Sequence, residues 1–179
     1  MHRYFAFLRA INVGGHTVTM ETLRRLCESF GLSNVETFIA SGNLIFQTDN
    51  PDPAALELKI ASGLQRDLGY EVTTFIRSDA ELAGIAAYQA FAQSERNTAE
   101  AFNIAFLSGS LDDTARKKLM SLTSTIDRFV PHGREIYWLC RKKQSESTFS
   151  NAVLEKTLGV RSTLRGGNTI QKMVARYIS

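Results

Sequence analysis

Arg9-Ala10-Ile11-Asn12-Val13-Gly14-Gly15 brings a guanidinium, an amide side chain and two adjacent glycines together in one short stretch. It lies between the apolar run Tyr4-Phe5-Ala6-Phe7-Leu8 and an amphipathic segment that starts at Met20. A strand that ends in such a turn ahead of a helix N-terminus can present backbone N–H groups to an anion. Arg9 and Asn12 can add planar, bidentate contacts to the same ligand. The alternative role for both is to tie down a long turn by bonding backbone groups. Gly14-Gly15 has neither the six-position glycine spacing of a dinucleotide turn nor the Lys-Ser/Thr of a P-loop, so it marks a place and not a reaction. Ser41 and Asn43, in Ser41-Gly42-Asn43, are further ligand candidates. Serine and asparagine also serve turns that hold nothing, so they stay open between the two roles.

Other chemistry is excluded by what surrounds it. His2, His16 and His132 are isolated and fit no metal-ligand spacing, and no metal or cofactor is expected. Ser41 lacks the Gly-x-Ser-x-Gly frame of a nucleophile elbow, and no carboxylate pair stands out as a glycosidase acid and base, so no catalytic residue is named. Whether the protein is an enzyme stays open. The stretch Asn43-Leu44-Ile45-Phe46-Gln47 lacks the basic and aromatic pattern of an RNA-reading strand. Tyr137 and Trp138, near Arg134 and Arg141, offer one stacking platform. Neighbours on a strand point to opposite faces, so one of the two rings is expected in the core.

With 179 residues, 44% of them apolar, the chain can bury one sizeable core or two smaller ones. Three prolines and the lack of low-complexity tracts argue for order throughout. No apolar run reaches the roughly 18 residues of a membrane span, and the N-terminus lacks a signal-peptide pattern, so a cytoplasmic protein without membrane contact is expected. Cys27 and Cys140 read as two reduced, structural thiols. The net charge of +3 is unevenly spread: residues 1–110 hold 8 Lys and Arg against 12 Asp and Glu, and residues 111–179 hold 13 against 6. A basic C-terminal part suits nucleic acid, an acidic ligand or an acidic patch of the same molecule.

These residues must be positioned by a recurring order of elements. A strand over 4–8, a helix from Met20 to Phe30, strands over 35–39 and 44–47 around a tight turn at Ala40–Asn43, a helix opened by Asp52-Pro53 and closed by Gly69, and a strand over 70–76 form a βαββαβ unit. Ser78-Asp79-Ala80-Glu81 reads as a capping box for a short helix, and 93–98 as a polar surface linker. The order then restarts, with a strand over 103–107, a helix over 111–122, a strand over 126–130, a turn at 131–134 and a strand over 135–140. Phe5-Ala6-Phe7-Leu8 is echoed by Ile104-Ala105-Phe106-Leu107, 99 residues on. After the basic loop Arg141-Lys142-Lys143 come helices from about Asn151 to Leu158 and at the C-terminus, the latter with an apolar stripe of Ile170, Met173, Val174, Tyr177 and Ile178. The expected fold class is α+β, an α/β sandwich of two tandem ferredoxin-like units over 1–97 and 98–179, the second diverged and ending in a C-terminal helix.

The Arg9–Gly15 turn, Met20-x-x-Leu23, Thr37-Phe38-Ile39-x-Ser41-Gly42-Asn43 and Phe46 together make the chain similar to the bacterial domain of unknown function 1697 family, over nearly its whole length. The resemblance implies a two-unit α/β protein and brings no established activity. The family commonly has Thr-x-Arg-Asn-Trp before its last helix, where this chain has Thr163-Leu164-Arg165-Gly166-Gly167-Asn168-Thr169. Arg165 and Thr169 carry over as ligand candidates, and the indole does not. The expected function is binding of a small anionic ligand, nucleotide-like among the options. The alternatives are a protein-interaction or assembly module, and an RNA- or DNA-binding module acting through the basic second unit. Oligomeric state is not legible.

Overall fold

A computed structural model describes residues 1–178 except for the side chain of Ser41. It is a mixed α+β structure with two four-stranded antiparallel sheets, and the chain divides into two compact units, Met1–Gly84 with Met173–Ser179 and Ile85–Lys172.

The first unit runs β1 (His2–Leu8), α1 (Met20–Ser29), β2 (Ser33–Phe38), β3 (Ala40–Thr48), α2 (Pro53–Leu68), β4 (Thr74–Ser78) and the start of α3 (Asp79–Ala87). Its strand order is β2-β3-β1-β4. Alternate residues of β1 serve opposite faces: Tyr4, Ala6 and Leu8 join Leu44, Phe46 and Ile76 in one core with Leu23, Cys27, Leu56, Ile60 and Leu64 of the two helices. Phe5 and Phe7 on the other face are fully buried too. Burial on both faces is why β1 reads as an unbroken apolar run. The helix ends follow local chemistry. Thr19 accepts from the Thr22 N–H at 3.1 Å, Asp52 accepts from Ala54 and Ala55 N–H with proline following it, and Gly69 closes α2 at φ 85°. Ser78 and Glu81 exchange the two hydrogen bonds of a capping box. Glu57 accepts from the Ile76 N–H at 2.8 Å, covering outward backbone of the edge strand β4.

The second unit runs from the end of α3 through α4 (Gln93–Arg96), β5 (Ala101–Phe106), α5 (Asp113–Met120), β6 (Asp127–His132), β7 (Glu135–Cys140), α6 (Asn151–Leu158) and β8 (Thr163–Gly166) to α7 (Gly167–Tyr177), whose last turn groups with the first unit. Its strand order, β6-β7-β5-β8, matches that of the first sheet position for position. Ala105, Leu107, Phe129, Ile136 and Trp138 pack with Leu119 and Leu154. A buried polar network stitches this core. Asp127, 3% exposed, accepts from the Trp138 indole N–H at 2.8 Å and from the Ser147 hydroxyl at 2.7 Å, and Ser147 accepts from the Phe149 N–H at 3.0 Å.

Several elements differ from the sequence-based expectation. Ala40–Asn43 is not a tight turn: it belongs to β3, the reversal falls on Ile39 at φ 65°, and residues 41–43 form a bulge where Phe38 pairs with Ala40 and Thr37 with Leu44. The Asn43 amide donates to the Phe38 carbonyl at 3.1 Å and so closes the bulge across the strands. The polar stretch 93–98 is in part the helix α4, held by a 2.7 Å ion pair from Arg128 to Glu95. Asp112 caps α5, so the helix starts at Asp113 and not at 111. Strand β8 has no hydrophobic alternation to announce it; pairing with β5 makes it a strand.

Both thiols are free and buried. Burial, aided by Glu28, pushes the Cys27 thiol from 9.0 up to about 12. The native thiol therefore keeps its proton while the unfolded one ionises, so its contribution to stability is full below pH 9.0 and is lost as pH rises towards about 12. Native protein is expected to leave Cys27 unlabelled by a thiol reagent at mildly alkaline pH, under conditions that label it in urea. Equal rates in both would refute its burial.

Candidate functional site

The segment between β1 and α1 is a loop fixed at successive points. The Arg9 N–H donates to the Thr73 carbonyl at 2.9 Å, carrying the pairing with the β4 side one residue past the strand. Ala10 then turns the chain at φ 59°, and Ile11 buries its side chain while its carbonyl accepts from the Tyr70 hydroxyl at 2.7 Å. Asn12 spends its Oδ1 on the Val18 N–H at 2.8 Å, so its amide spans the loop it belongs to. The His16 N–H returns to the Val13 carbonyl at 3.1 Å, and the His16 ring stacks on Tyr70 with centroids 3.9 Å apart and planes at 20°.

Gly14 and Gly15 form the tip between these anchors, both exposed and left-handed at φ 63° and 83°. A side chain would strain either one, although no atom lies within 4 Å of the place a Cβ would take. Their N–H groups have no hydrogen-bond partner among the described residues. Two adjacent exposed donors ahead of the Thr19-capped N-terminus of α1 can take an anionic oxygen.

The pairing of Phe7 with Asn43 puts the β3 bulge at the same end of the first sheet as the glycine turn. Asn43 is buried there, with its amide bonded to Phe38, and the Ser41 side chain lies outside the described residues. Arg165 and Thr169 belong to the second unit, on β8 and the first turn of α7. Arg165 donates through Nη1 to Thr163 Oγ1 at 2.7 Å and to the Leu164 carbonyl at 2.8 Å. Burial pulls its pKa down to about 10.

Arg165 has a counterpart that the sequence did not reveal. Ile104 pairs with Arg165 as Phe5 pairs with Arg77, and Phe5 and Ile104 are the repeat-related positions 99 residues apart. Arg77 is 1% exposed and, like Arg165, bonds the carbonyl just before it, that of Ile76, at 2.8 Å. An arginine at the same register position in both sheets, bonded to the carbonyl before it, is an architectural feature of the repeat. Alignment of the two halves by their first strands would have found it only with the register of the last strands known.

Also missed was a groove of about 610 Å³ in the first unit, lined by Arg3, Asn34, Glu36, Gln47, Arg176 and Tyr177 among others. Its charges answer one another: Tyr177 donates to Glu36 at 3.0 Å, Arg176 lies 3.9 Å from Glu36, and Arg3 donates to the Tyr177 carbonyl. No sequence signal links groups from three strands and a C-terminal turn. Tyr137 and Trp138 are both buried, at 1% and 0% exposure, so neither forms a surface platform. Gly167 packs its backbone on Phe102, where an added Cβ would sit 2.4 Å from the ring, and the Arg96 guanidinium covers that ring at 4.5 Å. Among the described residues no helix is long and apolar enough to cross a membrane, and no group of His, Cys, Asp and Glu could hold a metal ion.

The whole chain is similar in structure to the conserved bacterial protein SP0830 from Streptococcus pneumoniae, with a TM-score of 0.77 over 100% of this chain and 99% of that one at 24% identity, which shows a shared fold. No curated protein matches the chain. Residues 1–137 match the model of the family described as "Protein of unknown function (DUF1697)", and the chain belongs to that family.

Proposed function

We propose that this protein binds a small anionic ligand at the glycine turn after β1, on a scaffold of two ferredoxin-like units whose sequence repeat divides at residue 97. The strand orders β2-β3-β1-β4 and β6-β7-β5-β8, each with helices over one face, support the scaffold. The ligand reading is carried by one observation: the adjacent, exposed and unpartnered N–H groups of Gly14 and Gly15. The anchors at Asn12, His16 and Tyr70 hold that tip, so little ordering entropy is lost when an anion arrives. Arg9 supplies the positive charge of the loop, and Asn12 acts as its clasp. Arg165 and Thr169, in the second unit, are left as separate ligand candidates. The burial of both Tyr137 and Trp138 weighs against the nucleic-acid alternative.

The test is an NMR titration of the labelled protein with inorganic phosphate and ribose 5-phosphate. Saturable movement of the Gly14 and Gly15 amide resonances is expected, and binding should weaken about tenfold in a folded Arg9→Ala variant, the loss of one charge-assisted contact. Saturation elsewhere with these two amides unmoved, or no saturation at all, overturns the proposal.

A further inference from the structure

We infer that the anion of the glycine turn is the phosphate of a nucleoside monophosphate, with its base stacked on the outer face of His16; this rests on the reading above that an anion occupies the turn. His16 follows Gly15 directly, so the ring platform and the two free amides are neighbours in one fixed loop. One face of the imidazole lies on Tyr70 at 3.9 Å and 20°. Tyr70 is itself half-buried and tied through its hydroxyl to the Ile11 carbonyl at 2.7 Å, so the pair cannot slide apart without breaking the loop. His16 remains exposed, and no second ring covers it among the described residues. An aromatic pair anchored on one side and open on the other is a stacking surface for a planar group.

The two features ask for different parts of one molecule. Backbone amides take the phosphate oxygens, and the imidazole takes a flat, apolar face. A sugar phosphate satisfies only the first, and an uncharged base only the second. A nucleoside monophosphate carries both across a single ribose. Stacking tolerates every base, so the site specifies the class and not the base.

Calorimetric titrations with ribose 5-phosphate and adenosine monophosphate test this in wild type, His16→Ala, His16→Phe and His132→Ala. His132 also stacks on a tyrosine, Tyr88 at 3.8 Å, but in the second unit, and serves as the control. Adenosine monophosphate is expected to bind about tenfold more tightly than ribose 5-phosphate, as one stacked base supplies. That gap should vanish in His16→Ala, with ribose 5-phosphate unchanged, and persist in His16→Phe and His132→Ala. Equal affinities in wild type overturn the stacking assignment and leave the anion reading standing. Binding of neither compound overturns both. A trinucleotide with a 5′-phosphate that binds more than about tenfold tighter than the monophosphate overturns the assignment to a free nucleotide in favour of an RNA end.

Discussion

Replacing Asp127 by alanine is expected to lower the unfolding free energy by about 3–4 kcal/mol. The carboxylate is 3% exposed and accepts from both the Trp138 indole and the Ser147 hydroxyl. Alanine removes two hydrogen bonds to a charged group, each worth about 1.5–3 kcal/mol, and strands an indole N–H at a residue of 0% exposure. The indole also meets Phe149 edge-on at 4.6 Å, and Phe149 lies against Phe129 at the same distance, so movement of Trp138 is felt across the second core. Urea unfolding of wild type, Asp127→Ala, Trp138→Phe and the double variant measures the coupling. The double variant should lose clearly less than the sum of the singles, because each single change leaves the partner unsatisfied. Simple additivity, or a loss under about 1 kcal/mol for Asp127→Ala, would show that the network contributes little.

Gly63→Val is expected to cost about 2–3 kcal/mol, through a contact between α2 and Phe30, the residue that caps the end of α1. A Cβ at Gly63 would lie 2.5, 2.7 and 2.8 Å from three atoms of the Phe30 ring. Two effects oppose each other here. A side chain in place of glycine inside a helix stabilises by roughly 0.5–1 kcal/mol, while forcing extra atoms into a packed core costs roughly 1–3 kcal/mol. The ring has little room to yield: Phe30 is 8% exposed, the Arg66 guanidinium lies over it at 5.7 Å, and its backbone N–H is shared between the Leu26 and Cys27 carbonyls. Overpacking therefore wins, narrowly for alanine and plainly for valine, whose branched Cβ adds to the clash. Phe30→Leu should recover part of the loss when combined with Gly63→Ala. No recovery in the thermal unfolding of that pair would place the strain elsewhere.

Much of the first unit was legible because local chemistry and tertiary context agree there. Thr19, Asp52-Pro53, Gly69 and the Ser78–Glu81 box each satisfy backbone groups within a few residues, so helix ends could be read from side chains alone. The echo of residues 5–8 in 104–107 likewise announced that one order of elements occurs twice. Register is not local in that way. Ser41-Gly42-Asn43 has the composition of a turn, and only the pairing of β2 with β3 decides that it is a bulge. Thr163–Gly166 has the composition of a loop, and only β5 makes it a strand.

The candidate site divides along the same line. Two glycines between a buried strand and an amphipathic helix are visible in the sequence, because backbone freedom and apolar periodicity are written residue by residue. Whether Asn12 offers its amide to a ligand or to Val18, and whether His16 hangs free or lies on a tyrosine 54 positions away, depends on contacts between distant residues. The same holds for Arg165, whose meaning changes once Arg77 is found at the matching place in the other sheet. The sequence by itself determined the α+β class, the repeated order and the location of the turn, since short-range sterics and burial dictate these. Tertiary structure decided strand register, the partners of each polar side chain and which backbone donors remain unpaired, since a hydrogen bond is specified only when both its ends are in place.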